Sequence, residues 1–200
     1  AIAYTLERMA RGGMYDQVGG GFHRYSVDAR WMVPHFEKML YDNGQLTQVY
    51  ALAHEVQPDQ ADGDFYARVM RETCDYVLRE MTDKTGAFWS AEDAEVDALE
   101  GGSYLWAPDE VRAALLDQKL VEIVLEIYGL TAGTNFEDPH AKDQPPTNVL
   151  YLINRLDVLA PKLGMSLDEL VEAREQINEK MLTARNQRTQ PGTDDKVLVG

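Results

Sequence analysis

Apolar residues recur at helical spacing through most of the chain, with one long stretch where they do not. Ile2, Leu6 and Met9 set the first amphipathic period, and the glycine pair Gly12-Gly13 predicts its end near Arg11. Pro34 stands where a helix-opening proline would, so a second helix is predicted from Pro34 to about Glu55. Its apolar residues, among them Phe36, Met39, Leu40, Leu46, Val49 and Tyr50, cover more than half the circumference, which means burial on several sides. His35, Lys38, Asp42 and Gln45 form one polar stripe on that helix, which must face a cavity, a partner or a polar network unless solvent covers it. A turn over 58–63 and a third helix over 64–81 follow, with Tyr66, Met70, Cys74, Val77 and Met81 on its apolar face.

Two short aromatic runs, 87–93 and 101–106, flank a Gly-rich acidic loop and predict a long β-hairpin. Pro108 opens a helix to about Tyr128, with Asp109 and Glu110 favourably placed in its first turn. Loop is predicted over 131–146, an extended piece over 148–152 and a helix to about Leu163. Ser166 and Glu169 have capping-box spacing and start a long helix to about Arg188, which Pro191-Gly192 breaks. A helix, a Gly-x-aromatic step and an aromatic segment occur at Gly13-Met14-Tyr15 and again at Gly86-Ala87-Phe88. Repeated helical hairpins predict an all-α chain, part of an (α/α)6 toroid, with a small β-hairpin insertion.

Composition narrows the function classes. The chain has 200 residues, 19 basic against 34 acidic, and a net charge of −15. Nucleic-acid binders need a basic face, so nucleic acid is excluded as a partner. No apolar run approaches a membrane span, and membrane partners are not expected. The single cysteine, Cys74, rules out an internal disulfide framework and points to a reducing, cytoplasmic compartment. Cys74 reads as packing rather than as a nucleophile, since no histidine or basic partner lies at helical spacing. The amphipathic pattern is already running at Ala1, without an initiator methionine, so residues 1–200 are expected to be one fragment of a longer protein.

The stretch Gly19 to Asn43, GGGFHRYSVDARWMVPHFEKMLYDN, concentrates titratable and aromatic groups. Either it lines a site or it is a cross-linked polar core; clustered titratable groups favour the site. His23 and His35 titrate near neutrality and are the candidate acid–base groups. Asp42, Glu92 and Asp93 offer catalytic carboxylates. Arg24 and Lys38 would anchor oxygens, and Glu37, Asn43, Asp194, Asp195 and Lys196 would border the cavity. Tyr25, Trp31, Tyr41, Trp89 and Trp106 supply flat apolar faces of the kind that stack on a sugar ring or close a pocket. The four histidines, His23, His35, His54 and His140, show no metal-ligand spacing, and neither a metal nor another cofactor is expected. His54 and His140 read as surface residues. The glycine triplet lacks the Walker lysine, so nucleotide binding is a poor reading.

The run from Gly12 to Asn43, then SAEDAE, EGGSYLW, NVL and DDKVL, resembles the family of thioredoxin-domain-containing proteins related to the spermatogenesis-associated thioredoxin-like protein. The resemblance implies an N-terminal thioredoxin-like domain, absent here, followed by a toroid similar to N-acylglucosamine 2-epimerase and six-hairpin glycosidases. It implies a small-molecule ligand, a sugar, and an isomerase or epimerase type of activity. A glycoside hydrolase would need two carboxylates across a bond. A non-catalytic toroid serving the attached thioredoxin-like domain is the opposing reading. A cut toroid exposes apolar helix faces, so self-association is expected. Glu95 replaces the aspartate of the family pattern, and Ala107 replaces a Ser or Thr helix cap at a cost of about 1 kcal/mol.

Overall fold

The structure, a computed structural model, describes residues 2–57, 65–138 and 145–197. The turn over 58–63, the helix start at Asp64, His140 and Leu198 of the DDKVL motif lie outside the described residues. Helix α1 (Ile2–Arg11) buries Leu6, Met9 and Ala10 and ends as the glycine pair requires. A Cβ on Gly13 would collide with the Met32 carbonyl and Val149, so close packing as well as termination selects glycine there. The chain then doubles back, bridging Tyr15 to Phe22 through Gly20 and Gly21, both at positive φ.

The second predicted helix starts late. Residues 34–39 are extended: β1 (Tyr25–Ser26) pairs with β2 (Pro34–His35), and β3 (Lys38–Met39) pairs with β4 (Trp89–Glu92), both antiparallel. Arg24 N donates to Glu37 O at 2.7 Å, so two β partners claim the segment that propensity assigned to a helix. Proline suits the first residue of an edge strand as well as a helix N1 position, which is why the signal misled. Helix α2 (Leu40–Val56) begins only after Met39, whose carbonyl takes a bond from the Asn43 side chain at 2.9 Å. The stripe of His35, Lys38, Asp42 and Gln45 therefore does not exist as one helical face.

Helix α3 (Phe65–Glu80) buries Phe65, Tyr66, Val69, Thr73 and Tyr76. Cys74 is exposed, against the packing role read for it. The face is phased on Thr73, whose hydroxyl donates to Val69 O at 2.7 Å and so enters the core satisfied. The long hairpin is also replaced. Strand β4 joins β3 and β7 (Thr193–Val197) in a sheet of order β3-β4-β7. Within 87–106 the hairpin shrinks to β5 (Glu95–Val96) and β6 (Leu99–Glu100), turned at Asp97 and Ala98, both at positive φ as a two-residue turn of matching twist needs.

Leu116, at φ 59°, splits the next predicted helix into α4 (Pro108–Leu115) and α5 (Gln118–Ile127). Asp117 caps α5 by accepting from Lys119 N at 2.9 Å and Leu120 N at 3.2 Å. A short α6 (Leu156–Leu159) precedes α7 (Leu167–Arg185), whose Ser166/Glu169 capping box forms as read. Seven α-helices and three small sheets among the described residues make a mixed α and β fold, which overturns the all-α partial toroid. The internal echo fails physically too: Gly13 is jammed against Met32, whereas Gly86 has open space around it.

Two apolar cores result. One gathers Leu6, Met9, Tyr15, Phe22, Tyr50 and Val69 from α1–α3 and the doubled-back segment. The other gathers Val18, Trp106 and the inner faces of α4, α5, α6 and α7. The 15–22 segment thus contributes to both.

Candidate functional site

Asp16 is the centre of the polar motif. Its Oδ1 accepts from Val18 N at 3.1 Å and Gly19 N at 3.0 Å, the turn that an aspartate before glycines makes. Its Oδ2 accepts from Lys38 Nζ at 2.8 Å, and Arg185 Nη1 reaches both oxygens at 2.9 and 2.8 Å. Lys38 is fully buried; its ammonium also donates to Gly20 O at 3.0 Å and lies 4.1 Å from the Tyr76 ring centroid and 4.8 Å from that of Tyr104. Burial alone would raise the Asp16 carboxyl, but Arg185 and Lys38 hold it far below the usual carboxylate range. Burial pulls the Lys38 ammonium down, against the pull of Asp16.

Beside this network the Glu92 carboxylate, also buried, accepts from Tyr76 Oη at 2.6 Å and Tyr104 Oη at 3.4 Å. His23 is 2% exposed, with Nδ1 2.9 Å from Phe36 O and its ring edge-on to Phe36 and Tyr104. Burial, then Lys38, lowers its pKa to about 3, so the ring is neutral at physiological pH. Asn43 is buried as well and acts as a surrogate strand: Oδ1 accepts from Phe22 N at 2.7 Å and Nδ2 donates to Phe22 O at 3.0 Å.

The other predicted site residues lie elsewhere. His35 Nδ1 sits 2.9 Å from Glu100 Oε1, and its ring stacks on Tyr25. Arg24 pairs with Glu37 at 2.7 Å on the surface. Trp31, at φ 66°, packs on the α1–α3 core rather than offering a face to a ligand. Tyr41 is exposed and Asp42 half-buried on the first turn of α2, where burial raises the Asp42 carboxyl. Trp89 opens β4 opposite Val197, and Asp93 follows the strand's last residue. Asp194 pairs with Lys196 at 2.6 Å, and Asp195 is exposed. Two groups of predicted residues come together. His23, Lys38 and Glu92 meet in the interior around Tyr104. Arg24, Tyr25, His35 and Glu37 gather nearer the surface, with Arg24 2.7 Å and His35 Nε2 3.8 Å from Glu37 and the Tyr25 and His35 rings stacked.

A second, partly buried network was not read from the sequence at all. Glu72 takes a bidentate pair from Arg174 at 2.7 and 3.2 Å and a bond from Tyr15 Oη at 2.7 Å. Burial would raise Glu72, but Arg174 and Arg68 bring it down to about 2. Gln17 Nε2 donates to the α1 terminal carbonyls of Ala10 and Gly12 at 3.0 Å each, while Asn178 Nδ2 donates to Gln17 O at 2.7 Å. The available signal was the phase of α7: Arg174 and Arg185 fall in register with Leu170, Ile177 and Met181. An arginine at a core position announces a buried acid.

Among the described residues no His, Cys, Asp and Glu side chains converge as a metal-ligand set, and no helix is long and apolar enough to cross a membrane. No protein-family model matches the chain. Curated relatives do. Spermatogenesis-associated protein 20 of Homo sapiens is 36% identical over 212 residues, and that of Mus musculus 35% over 213, each alignment covering 98% of this chain. Along nearly its whole length the chain is similar to one part of spermatogenesis-associated protein 20. The family resemblance carried by the motifs is borne out to that extent. The chain spans about a quarter of the length of spermatogenesis-associated protein 20, 26% in both species. An uncharacterized protein of Caenorhabditis elegans is 32% identical over 209 residues.

Proposed function

We propose that this chain is a non-catalytic framework module, and that the 19–43 motif holds the fold rather than a substrate. The observation that supports this reading is where the acid–base candidates go. His23 and Lys38 are closed off in a paired interior network, and His35 is tied to Glu100 away from them. Sugar isomerisation or hydrolysis needs an acid and a base reaching one substrate bond from a common, water-accessible hollow. His23, with its pKa near 3, is also a poor match to a proton-transfer role near neutrality. The carbohydrate-active reading, epimerase-like or glycosidase-like, therefore gains no support from this geometry. As a framework the module would serve the rest of a larger polypeptide, with a thioredoxin-like domain as its expected neighbour.

The test is thermal denaturation of the native polypeptide against a panel of sugars and sugar phosphates, with His23→Ala and His35→Ala in parallel. The framework reading expects no sugar to raise the melting temperature. His23→Ala should destabilise by about 2–4 kcal/mol, as buried truncations do, and His35→Ala by under about 1 kcal/mol. A sugar that stabilises the wild type but neither variant would refute it.

A further inference from the structure

A small hollow in the interior is lined by one polar side chain from each of the two networks, Gln17 and His23. Tyr15, Phe36, Tyr104 and Val149 are among its other walls, and its volume is about 10 Å³. Of these six residues all but Tyr104 are buried. A void of that size admits one water molecule and no larger solute.

Gln17 brings an oxygen that nothing pairs. Its Nε2 donates to Ala10 O and Gly12 O at 3.0 Å each and lies 3.4 Å from Tyr15 O. Carbonyl oxygens only accept, so these three fix the amide: turned over, it would set oxygen against oxygen. Oε1 therefore faces away from them. It is buried without a hydrogen-bond partner among the described residues, on a residue only 2% exposed. His23 brings a second acceptor. Phe36 O, 2.9 Å from Nδ1, can only accept, so Nδ1 carries the ring proton and Nε2 a bare lone pair. Burial and Lys38, which lower the ring's pKa to about 3, keep it in that form at neutral pH. Among the described residues none donates to Nε2.

We infer that the hollow binds one structural water molecule, which donates one hydrogen to Gln17 Oε1 and the other to His23 Nε2. Two acceptors beside a hollow of this size call for a small double donor. A cation could also meet two acceptors. Asp16, another wall of the hollow, already gathers Lys38 and Arg185, and these repel a further positive charge. An anion would face two lone pairs. Water makes both donations without charge. It also joins the two networks, because Gln17 O takes bonds from Asn178 Nδ2 at 2.7 Å and Arg174 Nη2 at 3.3 Å. The bridge runs from α7 through Gln17 and the water to His23 and on to Phe36 O, and it stands apart from any question of catalysis.

Crystallography of the native polypeptide at atomic resolution provides the test. The expected result is a single peak at hydrogen-bonding distance, about 2.7–3.2 Å, from both Gln17 Oε1 and His23 Nε2. His23→Phe keeps a flat ring against Phe36 and Tyr104 but removes the acceptor, and there the peak should be lost. In solution, oxygen-17 relaxation dispersion should count one fewer long-lived water in that variant than in the wild type, with circular dichroism unchanged. The wild-type map decides alone if the variant fails to fold. No peak, a peak bonded to only one of the two atoms, a cation in its place, or an unchanged water in His23→Phe would overturn the inference.

Discussion

Replacing Asp16 by asparagine tests whether the motif is a structural keystone. The carboxylate accepts from two backbone amides, from Lys38 and from Arg185, and both cations have side chains no more than 6% exposed. Asparagine keeps one oxygen, turns an NH2 group toward a cation, and leaves two positive charges without their counter-ion. Breaking a buried pair from one side costs about 3–5 kcal/mol. A typical domain has only about 5–15 kcal/mol in total. Lys38→Met removes one of the stranded cations while Arg185 Nη1 still reaches both Asp16 oxygens, so alone it should cost about 1–3 kcal/mol, chiefly the lost partner of Gly20 O. In the double variant the losses should fall short of their sum by at least about 1.5 kcal/mol, because each change relieves part of what the other strands. Urea unfolding followed by tryptophan fluorescence reads all three, with Asp42→Asn as a control outside the network. An Asp16→Asn cost below about 1 kcal/mol, or additivity of the two changes, would refute the reasoning.

His23 sets a pH dependence whose sign follows from its folded pKa of about 3, below the ordinary 6.5. The unfolded chain takes up a proton that the folded chain refuses, so stability is complete above pH 6.5 and falls as pH drops toward 3. The loss between pH 7 and pH 5 should be about 2 kcal/mol. Urea midpoints at the two pH values measure it, and an NMR titration of His23 between pH 5 and 8 would contradict it by showing protonation. Glu72, held near 2, adds a further loss as pH falls below its ordinary 4.5. At the start of α4, Glu110 already accepts from Ala107 N at 2.7 Å, so Ala107→Ser supplies the missing half of a capping box. A gain of about 0.5–1 kcal/mol in thermal unfolding is expected, and no gain would show that helix end to be satisfied otherwise.

Local chemistry was legible where it decided structure alone. The Gly12-Gly13 stop, the Pro108 start and the Ser166/Glu169 box all form because each depends on neighbours a few residues away. The residues at 34–39 were misread because their strand partners lie at Tyr25 and at Trp89–Glu92, beyond any local window. The hairpin at 87–106 failed for the same reason, since β7 at Thr193–Val197 outcompeted the nearer segment for β4. The density of charged and aromatic residues in 19–43 was a true signal, but of a buried network. Sequence offers both readings of such a cluster, and only the positions of Arg174 and Arg185 in the apolar phase of α7 distinguish them.

The contact between Asp16 and Arg185 spans 169 positions of chain. During synthesis the turn at Asp16, the strand carrying Lys38 and the α2–α3 pair all emerge long before the guanidinium that completes their charge balance. The sheet has the same order of events, since β7 reaches β4 only after α7 has been made. Early on, the nascent chain holds an acid and a lysine that have every reason to stay hydrated, and the interior they belong to closes from its last-made helix. Long-range closures of this kind slow folding and lengthen the exposure of unfinished apolar surface. While this part of the polypeptide is being made, the segments from α1 to α3 stay open, and the arrival of Arg185 is the step that completes their interior.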